Sequence, residues 1–316
     1  MAKALLVLFS VIGTFPDDGL LTQDEFVEMC DVKEMVYSGG SKGDQTFQYR
    51  LFVPDPMKKG KKYPLILWLH GYGREIGSDN TSQMRYLEFL SWKGEKKSDY
   101  PYFILFPQCP KTNPGWYHAT NPQDQMATVA LAMLEKTKKE YPIDDDRIYL
   151  FGISGGGSSA LQMLNEHSDL FAAAAVAGAG GCPSSFLPQI AKTPLWAFHG
   201  KEDRCPFTGI QEVVEGVREL GGSAALTLYD KTGHHAWECA MQTEDVFGWM
   251  LHQKRDNESS WCYPGRPSGR QINVAFQKAK IPLSITFLVF VLTLFVLIYQ
   301  YRKTSTTNAN QTQGEL

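Results

Sequence analysis

Arg147-Ile148-Tyr149-Leu150-Phe151-Gly152-Ile153-Ser154-Gly155-Gly156-Gly157 is the stretch that decides the reading of this chain. Its first five residues form a short, mostly apolar run of the kind found in buried parallel strands, and they pass directly into four glycines around one serine. Gly152-Ile153-Ser154-Gly155-Gly156 fits G-x-S-x-G, whose glycines permit a sharp strand-to-helix turn that lifts a serine hydroxyl to the top of a sheet. Ser158 to Asn165 reads as the helix that follows. Strand, turn and helix together are the setting the motif requires, so Ser154 is a candidate nucleophile.

Outward from this turn the chain alternates short apolar strands with helical patterns, the order of an α/β fold with a mostly parallel sheet. Phe47 to Val53, Leu65 to Leu69, Tyr102 to Phe106, Phe171 to Ala177, Leu195 to His199 and Ala225 to Tyr229 read as strands. Met126, Val129, Ala130, Met133 and Leu134 recur at helical spacing in a helix that Pro142 stops, and Ile210, Val213, Val214, Val217 and Leu220 make the buried face of another, closed by Gly221-Gly222. A closing helix is expected from about Glu238 to Gln253. Only a short Gly/Ser/Pro-containing loop joins the strands ending at 177 and starting at 195, which leaves no room for a cap domain and predicts an open site.

A serine hydroxyl at its free pKa attacks poorly and needs a base, itself oriented by a carboxylate. In this fold class the chain order is Ser, acid, His, and the groups sit in loops at the carboxyl ends of strands. Asp203 follows the strand that ends at His199-Gly200, and His234 follows the last strand through Thr232-Gly233. Glu202 and Asp230 compete for the acid and His235 for the base, whereas His70, His118 and His199 read as structural or turn residues. A tetrahedral oxyanion needs two converging N–H donors, expected from the backbone of Gly155 and of Tyr72 in the loop after Leu69. Trp116, Tyr117 and Trp237 are candidates to line a substrate pocket, with aromatic core packing as the alternative.

Composition excludes other classes. The chain has 316 residues, with 31 Lys+Arg against 34 Asp+Glu and a formal net charge of -3, and no basic stripe to suit nucleic acid. Six cysteines, at 30, 109, 182, 205, 239 and 262, lack tight metal-ligand spacing, so no metal or other cofactor is expected. Residues 281–299 form an uncharged stretch spanning roughly 28 Å, which predicts a single transmembrane helix. Lys3 and the apolar run to Ile12 fit a short secretory signal over residues 1–13. The expected layout is a signal, a hydrolase-type domain over 23–255, a linker over 256–280, the membrane helix and a polar tail over 300–316. The signal places the domain outside the cytosol; the charges flanking the membrane helix favour a tail-anchored protein with a cytosolic domain. With the domain outside, Cys205 and Cys239, each a few residues beyond a site loop, are expected to pair, and Asn80-Thr81-Ser82 and Asn257-Glu258-Ser259 fit the glycosylation pattern.

From about Tyr49 to Lys254 the chain resembles the phospholipase/carboxylesterase-like α/β-hydrolases, a group often labelled predicted peptidases and akin to polyhydroxybutyrate depolymerase and feruloyl esterase domains. The matching stretches are Leu69-His70-Gly71, Pro107-Gln108-Cys109-Pro110, Gly152 to Gly157, Trp196 to Gly200 with Asp203, and Gly233-His234 with Trp237. The resemblance implies that His234 is the base and Asp203 the acid; Cys205 and the membrane helix depart from the group's pattern. Three functions follow as expectations: a carboxylic-ester hydrolase acting on a small-molecule or polymer ester, a serine peptidase with the same residues, and a non-catalytic binding ectodomain on a hydrolase scaffold.

Overall fold

The computed structural model describes residues 23–85 and 100–255. They form one eight-stranded sheet built from β1 (Cys30–Tyr37), β2 (Gln45–Phe52), β3 (Tyr63–Leu69), β4 (Phe103–Pro107), β5 (Ile143–Ile153), β6 (Ala173–Ala177), β7 (Leu195–Gly200) and β8 (Ala224–Tyr229). The spatial order is β1-β2-β4-β3-β5-β6-β7-β8. β1 to β2 and β2 to β4 are antiparallel, and every pairing from β4 through to β8 is parallel. This is the expected α/β-hydrolase fold.

Strand alternation divides the core in two. Leu65, Leu67 and Leu69 of β3 point to one face and share an apolar layer with Met126, Val129 and Met133 of α2 (Met126–Glu140), Leu161 and Leu164 of α3 (Gly155–His167) and, toward β7 and β8, Val213 and Val217 of α5 (Thr208–Glu219). Ile66 and Trp68 point to the other face and share an apolar layer with Phe26 of α1 (Gln23–Glu28), Trp237 and Met241 of α6 (Ala236–Thr243) and Trp249 of α7 (Val246–His252). The short α4 (Leu187–Ile190) lies between β6 and β7 in sequence. Each large apolar side chain so buried contributes about 2 kcal/mol from leaving water.

Four elements differ from expectation. The edge strand β1 and helix α1 are additional, and β1 buries only Cys30 and Met35 along eight residues. β5 begins at Ile143, four residues earlier than its apolar run, because Asp144 pairs with Arg147 at 2.7 Å and Asp145 with Lys138 at 3.0 Å, so the acidic start is neutralised on the surface. The closing helix is two helices: Glu244 is extended, and Asp245 restarts the helix as its cap, accepting a hydrogen bond from the Gly248 N–H at 3.0 Å. The expected signal over 1–13, linker, transmembrane helix over 281–299 and tail lie outside the described residues, as do Asn257 and Cys262. Among the described residues no helix is long and apolar enough to cross a membrane.

Two further expectations are corrected. Cys205 and Cys239 are separate thiols: Cys205 Sγ lies against Gly180, while Cys239 Sγ is 3.7 Å from the Thr232 hydroxyl. Asn80 is buried, and its amide oxygen accepts from Gln83 Nε2 at 3.1 Å, so its side chain is not presented as a glycan acceptor.

The turn after β5 works only because backbone approaches backbone. A methyl group on Gly156 would collide with the carbonyls of Leu69 and His70, and one on Gly152 with the carbonyl of Gly156. Gly156→Ala is therefore expected to destabilise the fold by about 3 kcal/mol or more, in the range of overpacking against a rigid core. Gly180→Ala, whose added methyl meets nothing closer than 3.8 Å, is expected to stay within about 0.5 kcal/mol of wild type. Equal urea midpoints for the two variants would contradict the close approach.

Candidate active site

Ser154 sits at the junction of β5 and α3 with φ 51° and ψ -123°, a left-handed conformation unusual for a residue with a side chain. The surrounding structure enforces it: the Ser154 N–H donates to Ala177 O at 2.8 Å, and the Ser158 N–H donates to Ser154 O at 3.1 Å. Strain of this kind holds a side chain up out of the sheet. The Ser154 hydroxyl lies 2.7 Å from His234 Nε2, and His234 Nδ1 lies 2.8 Å from Asp203 Oδ2. A carboxylate only accepts, so Nδ1 carries the proton and Nε2 presents a lone pair to the serine.

Loop packing brings these groups together from 31 and 80 residues apart. β7 ends at Gly200, whose missing side chain lets the Thr232 and Gly233 carbonyls pass directly over it. The Glu202 N–H donates to Thr232 O at 2.9 Å, which ties the loop after β7 to the loop after β8. The Asp203 side chain is fully buried, and its Oδ1 accepts from the Cys205 N–H at 2.9 Å. Burial pushes the Asp203 carboxyl up, but the Cys205 N–H and the His234 imidazole outweigh it and hold the group below its ordinary value. His199, also fully buried, donates from Nδ1 to Gly200 O at 3.0 Å and leaves Nε2 3.7 Å from Asp203 Oδ2.

The competitors are placed elsewhere. His235 is exposed, stacks on Trp237 at 4.8 Å and reaches Glu238 at 3.1 Å. Asp230 pairs with Lys201 at 2.7 Å and Glu202 is exposed. Of the three aromatic candidates, Tyr117 lines a cavity. It encloses about 340 Å³ together with Tyr72, His118, Ser158, Ser159 and Gln162 among others. Trp116 and Trp237 are buried among the core residues. Trp116 Nε1 donates to His70 O at 3.0 Å, and Trp237 packs edge-on against the His234 ring at 5.3 Å.

Gly71 and Tyr72 run beside the serine: a methyl on Gly71 would lie 3.2 Å from Ser154 Cβ. The Tyr72 side chain also matters. Its ring covers Gly155, and its hydroxyl lies 3.0 Å from Ser159 Oγ. Ser159 itself donates to Gly155 O at 2.8 Å, so Tyr72 is the donor in that pair. The sequence carries no signal for this contact, because a backbone oxyanion donor leaves the side chain at position 72 unspecified.

His70 fixes the same loop from behind. Its Nε2 accepts from the Cys109 N–H at 3.0 Å, so Nδ1 must carry the proton that meets Gly71 O at 2.6 Å. Burial pulls this imidazole down to about 4, against a partial rise from the Gly71 contact. Among the described residues no group of three or more His, Cys, Asp or Glu side chains is arranged to hold a metal ion.

A family model described as the prolyl oligopeptidase family matches residues 115–182, which include Ser154. The chain is similar to the crystal structure of a thermostable esterase, at 29% identity and a TM-score of 0.63, over 72% of this chain and 64% of that one. It shares its fold with an acylaminoacyl peptidase of Pyrococcus horikoshii, at 17% identity and a TM-score of 0.55, covering 74% of this chain and 44% of that one. An S-formylglutathione hydrolase of Staphylococcus aureus shares the fold at 14% identity and a TM-score of 0.55, covering 70% and 99%. The chain thus spans less than two thirds of the length of the first two. No curated protein matches it.

The neutral His70 makes stability depend on acid. Between about pH 6.5 and about pH 4 the unfolded chain binds a proton at this imidazole that the folded chain refuses, so stability falls as pH is lowered through that window. The melting temperature of wild type is expected to drop more steeply from pH 6.5 to pH 4 than that of His70→Asn. Parallel profiles would show that residue 70 does not carry the linkage.

Proposed function

We propose that this α/β-hydrolase chain is a serine hydrolase that cleaves carboxylic esters through an acyl-enzyme on Ser154. The hydrogen-bonded line from Ser154 Oγ through His234 to the buried Asp203 carries the reading. Ser154 Oγ attacks the ester carbonyl while His234 Nε2 takes its proton, and Asp203 holds the imidazole in the required tautomer and stabilises its cation. The tetrahedral oxyanion is met by the backbone N–H groups of Gly155, at the start of α3, and of Tyr72. His234 then returns the proton to the leaving alcohol, and water attacks the acyl-enzyme by the same route in reverse.

The ester preference is supported by the short β6 to β7 connection, which leaves the serine accessible to bulky esters, and by the similarity to a thermostable esterase. A serine peptidase is the second reading, favoured by the prolyl oligopeptidase match across Ser154. The two differ in whether His234 must protonate an amine.

Ser154→Ala is expected to abolish labelling by a fluorophosphonate probe and to lower ester turnover by several orders of magnitude without loss of fold, and His234→Ala to be comparably damaging. Asp203→Asn should fall between these and His235→Ala, which should be mild. A more damaging His235→Ala would reassign the base, and full activity in Ser154→Ala would end the hydrolase reading. Higher kcat/KM on peptide anilides than on 4-nitrophenyl esters would select the peptidase.

We also propose, from the sequence alone, that residues 281–299 anchor the chain in a membrane with the hydrolase domain outside. Protease added to intact cells should then remove the domain and spare the tail; full protection of the domain would place it on the cytosolic side.

A further inference from the structure

The loop after Tyr72 carries a second cavity, which the proposed chemistry leaves unused. It encloses about 360 Å³, and Arg74, Asp79, Ser82, Arg85 and Lys111 are among the residues lining it. Three cations thus stand against one carboxylate, on a chain whose formal net charge is -3.

That carboxylate is already committed. Asp79 Oδ1 accepts from the backbone N–H groups of Thr81 at 3.0 Å and Ser82 at 2.8 Å and from Gln108 Nε2 at 3.2 Å, while Oδ2 accepts from the Ser82 hydroxyl. Glu75, the next carboxylate along the loop, is buried and does not line the cavity. Among the described residues, none of the Arg74, Arg85 and Lys111 side chains has a hydrogen-bond or ion-pair partner. Arg85 goes further: its Nε–H is buried with no acceptor, an arrangement that is unfavourable unless a ligand supplies one. A guanidinium fork matches the two oxygens of a carboxylate or phosphate.

The position relative to the serine sets what the anion belongs to. Gly71 touches Ser154, and Arg74 follows three residues later, within about 10 Å of chain reach. We propose that this cavity binds a carboxylate or phosphate group carried by the ester substrate, so that the protein prefers anionic esters to neutral ones of the same length. The proposal rests on the hydrolase reading above and adds the substrate's charge to it.

Two measurements on the full chain test it and separate the two readings. Adipate and inorganic phosphate are titrated calorimetrically into Ser154→Ala. Saturable binding of either is expected, weakened about tenfold or more when Arg74→Ala and Lys111→Ala are added, the scale of one charged hydrogen bond; which anion binds identifies the group. Binding of neither, or binding indifferent to the two substitutions, overturns the proposal. In the second measurement, kcat/KM for mono-4-nitrophenyl adipate is divided by that for 4-nitrophenyl hexanoate. The ratio should fall about tenfold in Arg74→Ala/Lys111→Ala, and further with Arg85→Gln. An unchanged ratio also overturns the proposal. Absence of turnover of both esters by wild type would sink the hydrolase reading instead, and the calorimetry would still decide the anion site.

Discussion

The backbone approach at Gly156, where the carbonyls of Leu69 and His70 occupy the space a side chain would need, is the constraint on which the rest depends. It lets β3 and β5, neighbours in the sheet, end at the same height with α3 starting between them. That geometry holds Ser154 in its left-handed conformation and sets Gly71 and Tyr72 beside it. Side chains at 152 or 156 would force the strand ends apart and take away the surface on which the hydroxyl stands.

Two His-Gly pairs at strand ends do related work. His70-Gly71 closes β3 and His199-Gly200 closes β7, each with a fully buried imidazole whose Nδ1 meets the carbonyl of its own glycine. In the first pair Nε2 is satisfied by Cys109, and burial keeps the ring neutral. In the second, Nε2 faces Asp203 instead, so the carboxylate that orients His234 has a second imidazole behind it. The two rings are chemically alike and electrostatically different because one faces a backbone donor and the other a carboxylate.

How much of this was legible depended on whether position alone fixed the chemistry. Ser154, Asp203 and His234 lie where strand-end loops must converge, so their meeting followed from chain order once the strands were read. The choice of His234 over His235 needed the stacking of His235 on Trp237, which no spacing shows. Trp116 and Trp237 were ambiguous because an indole serves a core as well as a pocket. The Cys205 to Cys239 pairing failed because the loops converge through an imidazole and a carboxylate rather than Cα on Cα. β1 was illegible for a different reason: Asp31, Val32, Glu34 and Val36 are exposed along an edge, so burial leaves little apolar pattern. The cationic cavity joins Lys111 to residues 74–85 across a gap in sequence, and no local pattern reports such a junction.

Tyr72 occupies a place whose effect reaches beyond its own contacts. Its ring walls the cavity beside α3, while the next residue, Gly73, with φ 96°, begins the wall of the cationic one. The shape of the first cavity and the charge of the second are therefore set on neighbouring bonds of one backbone segment. In a diverging lineage the two traits would be inherited as a linked pair, and an engineer who reshapes one by changing residue 72 should find the other drifting with it.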